Sequence, residues 1–320
     1  MSRCANRCRT SNSLNNNGQI AGTDGKPVLW SGNTKTILSN ASGTAYDVNN
    51  KGQAVGVIGL RAVLWEGTSS TVLPFRSAPY QDNASAAYAI NDAGQIVGYV
   101  ADGCCPIDPA LWKDANTPPT DFGYNRGSAY DINNAGQIIG ATSFSGSFLF
   151  KGTGSDIILS GFPNSINNKD QIAGGDGNHA VYWFPGSGPI ALGTLEGYAH
   201  AIAYGNNDEG SVVGNSYNVS GDYSSHATYW SPNTTTAIDL NSFLPESVKD
   251  AGWVLINAQA INDSGAIVGD AFNSKLGTLH AFVLTPVPEP ETYAMLLAGL
   301  GVVSFLGRRK RKSGRAGSAK

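Results

Sequence analysis

Residues 128–140 of the chain read Ser128-Ala129-Tyr130-Asp131-Ile132-Asn133-Asn134-Ala135-Gly136-Gln137-Ile138-Ile139-Gly140. The same phrase recurs along the chain, and its copies align on one anchor position. The anchor is occupied by Gly18, Gly52, Gly94, Gly136, Asp170, Gly210 and Gly265. Successive anchors lie between 34 residues (52 minus 18) and 55 residues (265 minus 210) apart. This spacing indicates one supersecondary unit per copy.

Three more positions of the repeat are constrained in all seven copies. We number positions from the anchor, so that Asn133 is at −3, Asn134 at −2 and Gly140 at +4. Position −3 is always Asn: Asn15, Asn49, Asn91, Asn133, Asn167, Asn207 and Asn262. Position −2 is Asn or Asp: Asn16, Asn50, Asp92, Asn134, Asn168, Asp208 and Asp263. Position +4 is always Gly: Gly22, Gly56, Gly98, Gly140, Gly174, Gly214 and Gly269.

The constrained positions predict a hairpin turn between two short strands. Asn or Asp at the start of a turn can hydrogen-bond its own backbone, and Gly at the anchor supplies a positive φ without steric cost. Asp170 tolerates the same left-handed conformation better than most residues do. Asn-(Asn/Asp)-x-Gly is therefore typical of a type I turn followed by a left-handed residue.

Two further strands follow each hairpin. The third ends on an aromatic residue in six copies: Trp30, Trp65, Trp112, Phe150, Trp183 and Trp230. A fourth is visible at 36–38, 71–73, 156–159, 190–192 and 237–240. Four short strands in about 40 residues predict an all-β, propeller-like domain of about seven four-stranded blades over residues 14–285. The last blade is expected to be incomplete, because the chain passes directly from Leu284 to Pro286. A β-solenoid is the alternative, although its rungs keep a nearly fixed length.

Composition limits the function classes open to this chain. It has 320 residues, 41% of them hydrophobic, with 21 basic and 24 acidic side chains. Seven of the basic residues lie in 308–320, which leaves 14 basic residues against 24 acidic ones elsewhere. An acidic body argues against nucleic-acid binding. Residues 1–13 are polar and lack an apolar run, so we interpret them as a disordered or misassigned N-terminus, with most of the first strand missing before Leu14.

The C-terminus has a different organisation. Pro288-Glu289-Pro290 comes first, an uncharged segment runs from 292 to 307, and Arg308-Arg309-Lys310-Arg311-Lys312 follows. Sixteen helical residues span roughly 24 Å, slightly less than a bilayer core, and the basic side chains can snorkel. The pattern predicts a single transmembrane helix whose basic end lies in the cytoplasm. The alternative is a buried core helix.

This C-terminus resembles the PEP-CTERM sorting signal of Gram-negative, exopolysaccharide-producing bacteria. The matching parts are Pro288-Glu289-Pro290, the apolar 296–301 and Arg308-Arg309-Lys310-Arg311, which together with their surroundings form a sorting domain at 286–320. The resemblance implies export, anchoring in the inner membrane with the repeats outside the cytoplasm, recognition by an exosortase, and then release to the cell surface or beyond.

The body resembles HAF-repeat proteins, extracellular repeats named for His-Ala-Phe. His280-Ala281-Phe282 is the best match, and His179-Ala180 and His226-Ala227 are partial copies. The resemblance covers about residues 14–284 and implies a surface-associated protein without a stated activity.

No catalytic, metal or cofactor motif is recognisable. His179, His226 and His280 recur at equivalent positions, so we expect them to stabilise the repeat. The Trp series is expected to pack between blades, with sugar stacking as the alternative. The turn residues Asn49, Gly52, Asn91, Gly94, Asn133, Gly136, Asn262 and Gly265 are interpreted as structural. The pairs Cys4–Cys8 and Cys104–Cys105 are free thiols, a disulfide or, least favoured, a metal site.

The sequence thus predicts a non-enzymatic, exported binding or structural protein of the cell surface or exopolysaccharide matrix, with polysaccharide as a candidate ligand. The alternative is a propeller-type polysaccharide hydrolase or lyase. Its carboxylates would come from positions outside the repeat, and Asp102, Asp108 and Glu246 are the candidates.

Overall fold

The computed structural model describes residues 10–76, 83–101, 107–120, 126–143, 146–152, 157–219 and 225–286. The chain divides into two compact units, Met1–Leu284 and Thr285–Lys320. Every strand pairing in the described part is antiparallel.

The described residues of the first unit form seven sheets, each a simple meander of consecutive strands. The first three sheets contain β1 (Thr10–Leu14), β2 (Gln19–Thr23), β3 (Pro27–Ser31), β4 (Thr34–Ile37); β5 (Gly43–Val48), β6 (Gln53–Ile58), β7 (Arg61–Glu66), β8 (Ser69–Val72); and β9 (Ala84–Ile90), β10 (Ile96–Ala101), β11 (Asp108–Trp112). The next two contain β12 (Gly127–Ile132), β13 (Ile138–Thr142), β14 (Gly146–Phe150), β15 (Ile157–Leu159); and β16 (Phe162–Ile166), β17 (Ile172–Gly175), β18 (Ala180–Trp183), β19 (Pro189–Ala191). The last two contain β20 (His200–Asn206), β21 (Val212–Tyr217), β22 (Ser225–Trp230), β23 (Ala237–Asp239); and β24 (Trp253–Ile261), β25 (Ile267–Asn273), β26 (Thr278–Leu284).

This arrangement confirms an all-β propeller of seven blades. Five blades have four strands, at the five places where the sequence shows a fourth apolar segment. Blades 3 and 7 have three strands in the described part, and in blade 3 Thr120 adds an isolated bridge to Leu111.

Seven clusters of buried apolar side chains lie between neighbouring blades and close the ring. Ala21 of blade 1 and Trp65 of blade 2 share one such cluster, and the others continue around the ring. The last cluster joins Val268 of blade 7 to Leu14 of blade 1. Burial between blades, rather than within one sheet, therefore supplies the core.

The aromatic residue at the end of the third strand packs against the preceding blade, as the sequence predicts. Trp65, Trp112 and Trp230 are each 0% exposed. The indole of Trp112 also donates to the carbonyl of Pro74 in blade 2 over 2.8 Å, and that of Trp230 to Gly193 in blade 5 over 2.9 Å. Each large side chain thus buries apolar area and ties two blades together.

The N-terminal boundary predicted at residue 14 is wrong by four residues. Strand β1 begins at Thr10 and pairs along its length with β2. Its first four residues are polar and carry no apolar signal. The Ser11 hydroxyl among them donates to the carbonyl of Gly269 in blade 7 over 3.0 Å.

The insertion before blade 7 holds a short 3-10 helix, Leu240–Phe243, and helix α1, Glu246–Asp250. Among the described residues, no helix has both the length and the apolar character needed to cross a membrane. The transmembrane helix predicted at 292–307 lies outside those residues, as do Pro288-Glu289-Pro290 and the basic cluster 308–312.

Candidate functional site at the mouth of the central channel

The repeated turn has the predicted conformation. The anchor glycines have φ between +74° at Gly18 and +83° at Gly94, and Asp170 adopts φ 62° in the same position. In the fourth copy the amide of Gly136 donates to the carbonyl of Asn133 over 3.0 Å, and the amide of Asn133 donates to Gln137 over 3.1 Å. The turn therefore joins the first two strands of each blade.

The Asn at position −3 binds two turns at once. The Oδ1 atom of Asn133 accepts from the amides of Ala135 and Gln137 over 3.1 and 3.0 Å, which fixes its own turn. Its Nδ2 atom donates to the carbonyl of Asn167 in the next blade over 3.1 Å. The same bond runs around the whole molecule: Asn15 to Asn49, Asn49 to Asn91, Asn91 to Asn133, Asn133 to Asn167, Asn167 to Asn207, Asn207 to Asn262 and Asn262 to Asn15.

Position −2 forms a second ring of hydrogen bonds. The backbone amide of each residue donates to the side-chain Oδ1 atom of its counterpart in the next blade. The bonds run from Asn16 to Asn50, Asn50 to Asp92, Asp92 to Asn134, Asn134 to Asn168, Asn168 to Asp208, Asp208 to Asp263 and Asp263 to Asn16, at 2.8–3.0 Å. Both rings are closed between blades 7 and 1.

The two rings explain the residue types at these positions. Position −3 needs an amide, because the side chain accepts at Oδ1 and donates at Nδ2. Position −2 needs only an acceptor at Oδ1, and both Asn and Asp provide one. The restricted residue types at −3 and −2 are visible in the sequence, where they predict only a turn. The hydrogen bonds between blades could not be predicted, because no single copy of the repeat contains both partners.

A β-bulge in the inner strand of every blade positions the channel-lining residues. The pairing of the first two strands skips one residue, at position −6, in all seven blades. The bulge brings the carbonyl of position −8 against the Gly at +4. A Cβ at Gly214 would lie 1.9 Å from the Ile202 carbonyl oxygen, and one at Gly140 2.3 Å from that of Ser128. The bulge and the Gly therefore require each other.

The residues at −6 line a cavity of about 290 Å³ in the central channel. They are Asn12, Tyr46, Tyr88, Tyr130, Asn164, Tyr204 and Gln259. Consecutive blades place Tyr46, Tyr88 and Tyr130 side by side, and the rings of Tyr46 and Tyr88 meet edge to face with centroids 5.5 Å apart. One wall of the cavity is thus aromatic, and the wall opposite is mostly amide.

Burial shifts the pKa of these tyrosines upward. Desolvation, followed by the neighbouring Tyr99 and Tyr46 hydroxyls, raises the pKa of Tyr88 to about 12. Desolvation and then Tyr217 raise that of Tyr204 to about 12 as well. The hydroxyls stay protonated at physiological pH and can act as neutral donors.

Two aspartates at position −5 lie beside this wall and join neighbouring blades. Asp47 accepts from the amides of Val48 and, in the next blade, Ile90, each over 2.8 Å. Asp131 accepts in the same way from Ile132 and Ile166 over 2.8 Å. Burial, and secondarily the charge of Asp47, raises the pKa of Asp131 to about 7; burial also raises the pKa of Asp47.

The residues that line the cavity include acidic side chains but no basic ones. Asp47 and Asp131 lie inside, and Asp92, Asp208 and Asp263 stand in the outer ring of the same cavity. No Lys, Arg or His is among its lining residues. Hydrogen bonds from Asn50 and Asn134 lower the pKa of Asp92 against the opposing effect of desolvation, so this rim carboxylate is ionised at neutral pH.

The other carboxylates considered from the sequence do not form a site. Asp108 on β11 of blade 3 accepts from the Arg126 amide over 2.8 Å and lies 3.6 Å from Arg76. Glu246, in helix α1 before blade 7, is exposed and pairs with Lys249 over 2.9 Å. Blades 3 and 7 are not neighbours in the ring, so the structure keeps these two groups apart. Asp102 and the four cysteines lie outside the described residues.

The three repeated histidines have partners within their own blades. His179 Nδ1 lies 3.1 Å from Asp176, and His226 Nδ1 lies 2.7 Å from Asp239 on the adjacent strand. His280 packs edge to face on Trp253 at 5.1 Å. In the part of the chain that the structure covers, no three His, Cys, Asp or Glu side chains converge as metal ligands.

Comparison with known proteins places a sorting signal after the propeller. A model of the PEP-CTERM protein-sorting motif matches residues 286–312. The motif implies exosortase-dependent export and sorting to the cell envelope. No curated protein matches this chain. The WD40 domain of SCAP from fission yeast is a similar solved structure, with 10% identity over 88% of each chain and a TM-score of 0.35. The resemblance of the repeats to HAF-repeat proteins stays a prediction.

Proposed function

We propose that this chain is a non-enzymatic propeller that acts at the cell surface or in the exopolysaccharide matrix, as a binding or structural component. The observation that carries the proposal is the sorting motif at 286–312, which directly follows the last strand of the propeller. Because the motif implies export, it supports a role in which the propeller meets polymers of the cell surface.

The tail has a defined part in this proposal. Residues 292–307 serve as a transient transmembrane anchor in the inner membrane of a Gram-negative cell, and Arg308-Arg309-Lys310-Arg311-Lys312 hold its cytoplasmic end. The exosortase then acts near Pro288-Glu289-Pro290. The HAF-repeat resemblance of the body supports the same extracellular location.

The non-enzymatic role is supported by what the repeated residues do. Asn at −3, Asn or Asp at −2 and Gly at +4 each have a structural task in every blade. Both oxygens of Asp47 and of Asp131 accept backbone amides, so these carboxyl groups are engaged in joining blades.

A polysaccharide hydrolase or lyase is the second candidate, and one observation favours it. Burial, and secondarily the charge of Asp47, raises the pKa of Asp131 to about 7, and a general acid works best with a pKa near the operating pH. New reducing or unsaturated ends on incubation with exopolysaccharide, lost in Asp131→Asn, would establish this activity in place of the first proposal.

Mass spectrometry of the mature C-terminus, combined with cell fractionation, tests the sorting. In a host with the exosortase we expect the propeller at the surface with a C-terminus near Pro290. Without the enzyme we expect the full-length chain in the inner membrane. Removal of residues 288–320 should abolish this sorting, whereas removal of 313–320, which lie beyond the matched motif, should preserve it. Equal localisation of the two truncated chains would contradict the proposal.

A further inference from the structure

We infer that the channel mouth binds a protonated amine carried on a sugar ring, that is, the amino sugar of a surface polymer. The site is the cavity lined by the −6 residues and rimmed by the outer hydrogen-bond ring. The choice of a sugar as carrier of the amine rests on the proposed function, whereas the choice of an amine rests on the cavity itself.

The charge of the cavity selects a cation. Three of its five carboxyl groups stand at the rim, where Asp92 is ionised, and no lining residue is basic. Burial raises the pKa of the two inner carboxyl groups, Asp47 and Asp131, so the negative charge lies at the rim. The field of several like charges in a concave site is focused into the opening, so it attracts cations and repels anions. A sugar with a protonated amine is therefore favoured over a neutral one, and a uronate is disfavoured.

The side-chain amides of the cavity favour a ligand that donates. The amide of Asn12 donates to Ala45 over 2.8 Å and that of Asn164 to Ala203 over 2.7 Å. At the rim, Asn50 and Asn134 donate to Asp92 over 2.9 and 3.0 Å. These four amide groups thus already donate within the protein and are not available as donors to a ligand. An ammonium group offers three donors and no acceptor, which matches such a surface.

The aromatic wall supplies the second half of the recognition. Tyr46, Tyr88 and Tyr130 come from three consecutive blades and line the same cavity. Tyrosine faces attract cations and also bury the apolar face of a flat ligand. A volume of about 290 Å³ is at the lower end of the range for small-molecule pockets, roughly 300–1,000 Å³, so it suits one ring rather than a chain segment.

The rim offers variants that keep the fold. Asp92, Asp208 and Asp263 accept through Oδ1, and Asn serves the same bond in the other four blades. The triple variant Asp92→Asn/Asp208→Asn/Asp263→Asn therefore removes three charges from the mouth while the ring is retained. The matched control, Asp114→Asn/Glu246→Gln/Asp250→Asn, removes three charges that are not part of the cavity lining.

Calorimetric titration of the full chain with four small ligands at about pH 6, where the sugar amine is protonated, tests the inference. The ligands are D-glucosamine, N-acetyl-D-glucosamine, D-glucuronate and cyclohexylamine. We expect glucosamine to bind at least about tenfold more tightly than the other three. We also expect the rim variant to lose at least about tenfold in glucosamine affinity and the control variant to lose less than about twofold. In the otherwise unsubstituted chain, Tyr88→Leu should also weaken glucosamine binding.

Three results would overturn the inference: no binding of glucosamine, equal binding of its N-acetyl form, or unchanged affinity in the rim variant. If cyclohexylamine binds as tightly as glucosamine, the assignment of a sugar ring is wrong, whereas the assignment of a protonated amine stands. Because localisation is measured separately, a chain that reaches the surface but does not bind glucosamine contradicts this inference alone.

Discussion

At the residue scale, positions −3 and −2 of the repeat differ by one hydrogen-bond donor. Asn207 accepts from the Ser211 amide over 2.9 Å and donates to the Asn262 carbonyl over 2.9 Å. Its neighbour Asp208 only accepts: Oδ1 accepts from the Asn168 backbone amide over 2.8 Å, and Oδ2 accepts from the Asn168 side-chain amide over 3.0 Å. This difference explains which residue types occur at each position.

Substitutions in this one turn test the distinction. Asn207→Asp loses the donor and leaves a buried carbonyl unsatisfied, so we expect a loss of about 1–3 kcal/mol in the free energy of unfolding. Asp208→Asn keeps Oδ1 as the acceptor of the ring and loses only the exposed bond at Oδ2, so we expect a smaller loss, within about 1 kcal/mol. Urea unfolding of the two variants measures both values. Equal losses of unfolding free energy in the two variants would contradict a specific contribution from the hydrogen bond that Asn207 Nδ2 donates to the next blade.

The raised pKa of Asp131 predicts a pH dependence of stability. Between its unfolded value of 3.8 and its folded value of about 7, the folded state holds a proton that the unfolded chain has released. Linkage then requires the free energy of unfolding to fall as pH rises through this window. Burial of Asp47 and Asp270 acts in the same direction.

Urea unfolding at several pH values from about 4 to 8 measures this dependence. We expect the fall in stability across the window to be smaller in Asp131→Asn, because an amide does not titrate. The slope, rather than the absolute stability, is the readout, since Asn also loses one acceptor. A slope identical to that of the unsubstituted chain would refute the assignment.

Sequence reasoning located Asn133 but could not locate Tyr88 or Asp131 as site residues. Asn133 recurs at every copy, and recurrence is visible in the sequence. Positions −6 and −5 vary among copies, so they carry no repeat signal. The one available hint was the invariant Gly at +4, because a Gly inside a strand indicates a bulge or a close backbone approach.

At the element scale, the bulge and the Gly at +4 together set the course of the inner strand. The bulge turns position −6 towards the channel, and the Gly leaves room for the displaced carbonyl of position −8. Without it, strict alternation would place successive side chains on opposite faces of the inner strand.

Gly214→Ala tests whether the bulged inner strand requires Gly at +4. A Cβ there would lie 1.9 Å from the Ile202 carbonyl oxygen, so the two strands must separate. We expect a loss of about 3 kcal/mol or more, at or beyond the upper end of overpacking costs. Gly188→Ala is the control, because nothing lies within 4 Å of its Cβ. Thermal denaturation compares the two, and similar melting temperatures would contradict the account.

The strands were predictable where their residues are apolar. The hairpins and five of the fourth strands lie where the sequence places them. Strand β1 was not predictable over Thr10–Ser13, because its polar side chains are satisfied by contacts with other blades: Ser11 bonds to blade 7, and Asn12 and Ser13 bond to blade 2.

At the scale of the whole molecule, the propeller closes without an exchanged strand among the described residues. Blade 7 meets blade 1 through the small cluster around Leu14 and Val268, through Ser11, and through both hydrogen-bond rings. Seven copies predicted a ring from the sequence. The means of closure could not be predicted, since it depends on Asn262 and Asn15, which are 247 residues apart.

Hydrogen exchange of the backbone amides at position −2 tests whether the ring of blades is closed. These amides lie in turns at the surface, and their acceptor belongs to the next blade, as when Asp263 donates to Asn16 Oδ1 over 3.0 Å. In a closed ring the seven amides exchange only when blades separate, so we expect all seven to be protected to a similar degree. Rapid exchange at Asp263, at the rate of an unstructured peptide and with the other six protected, would show an open ring and contradict the account.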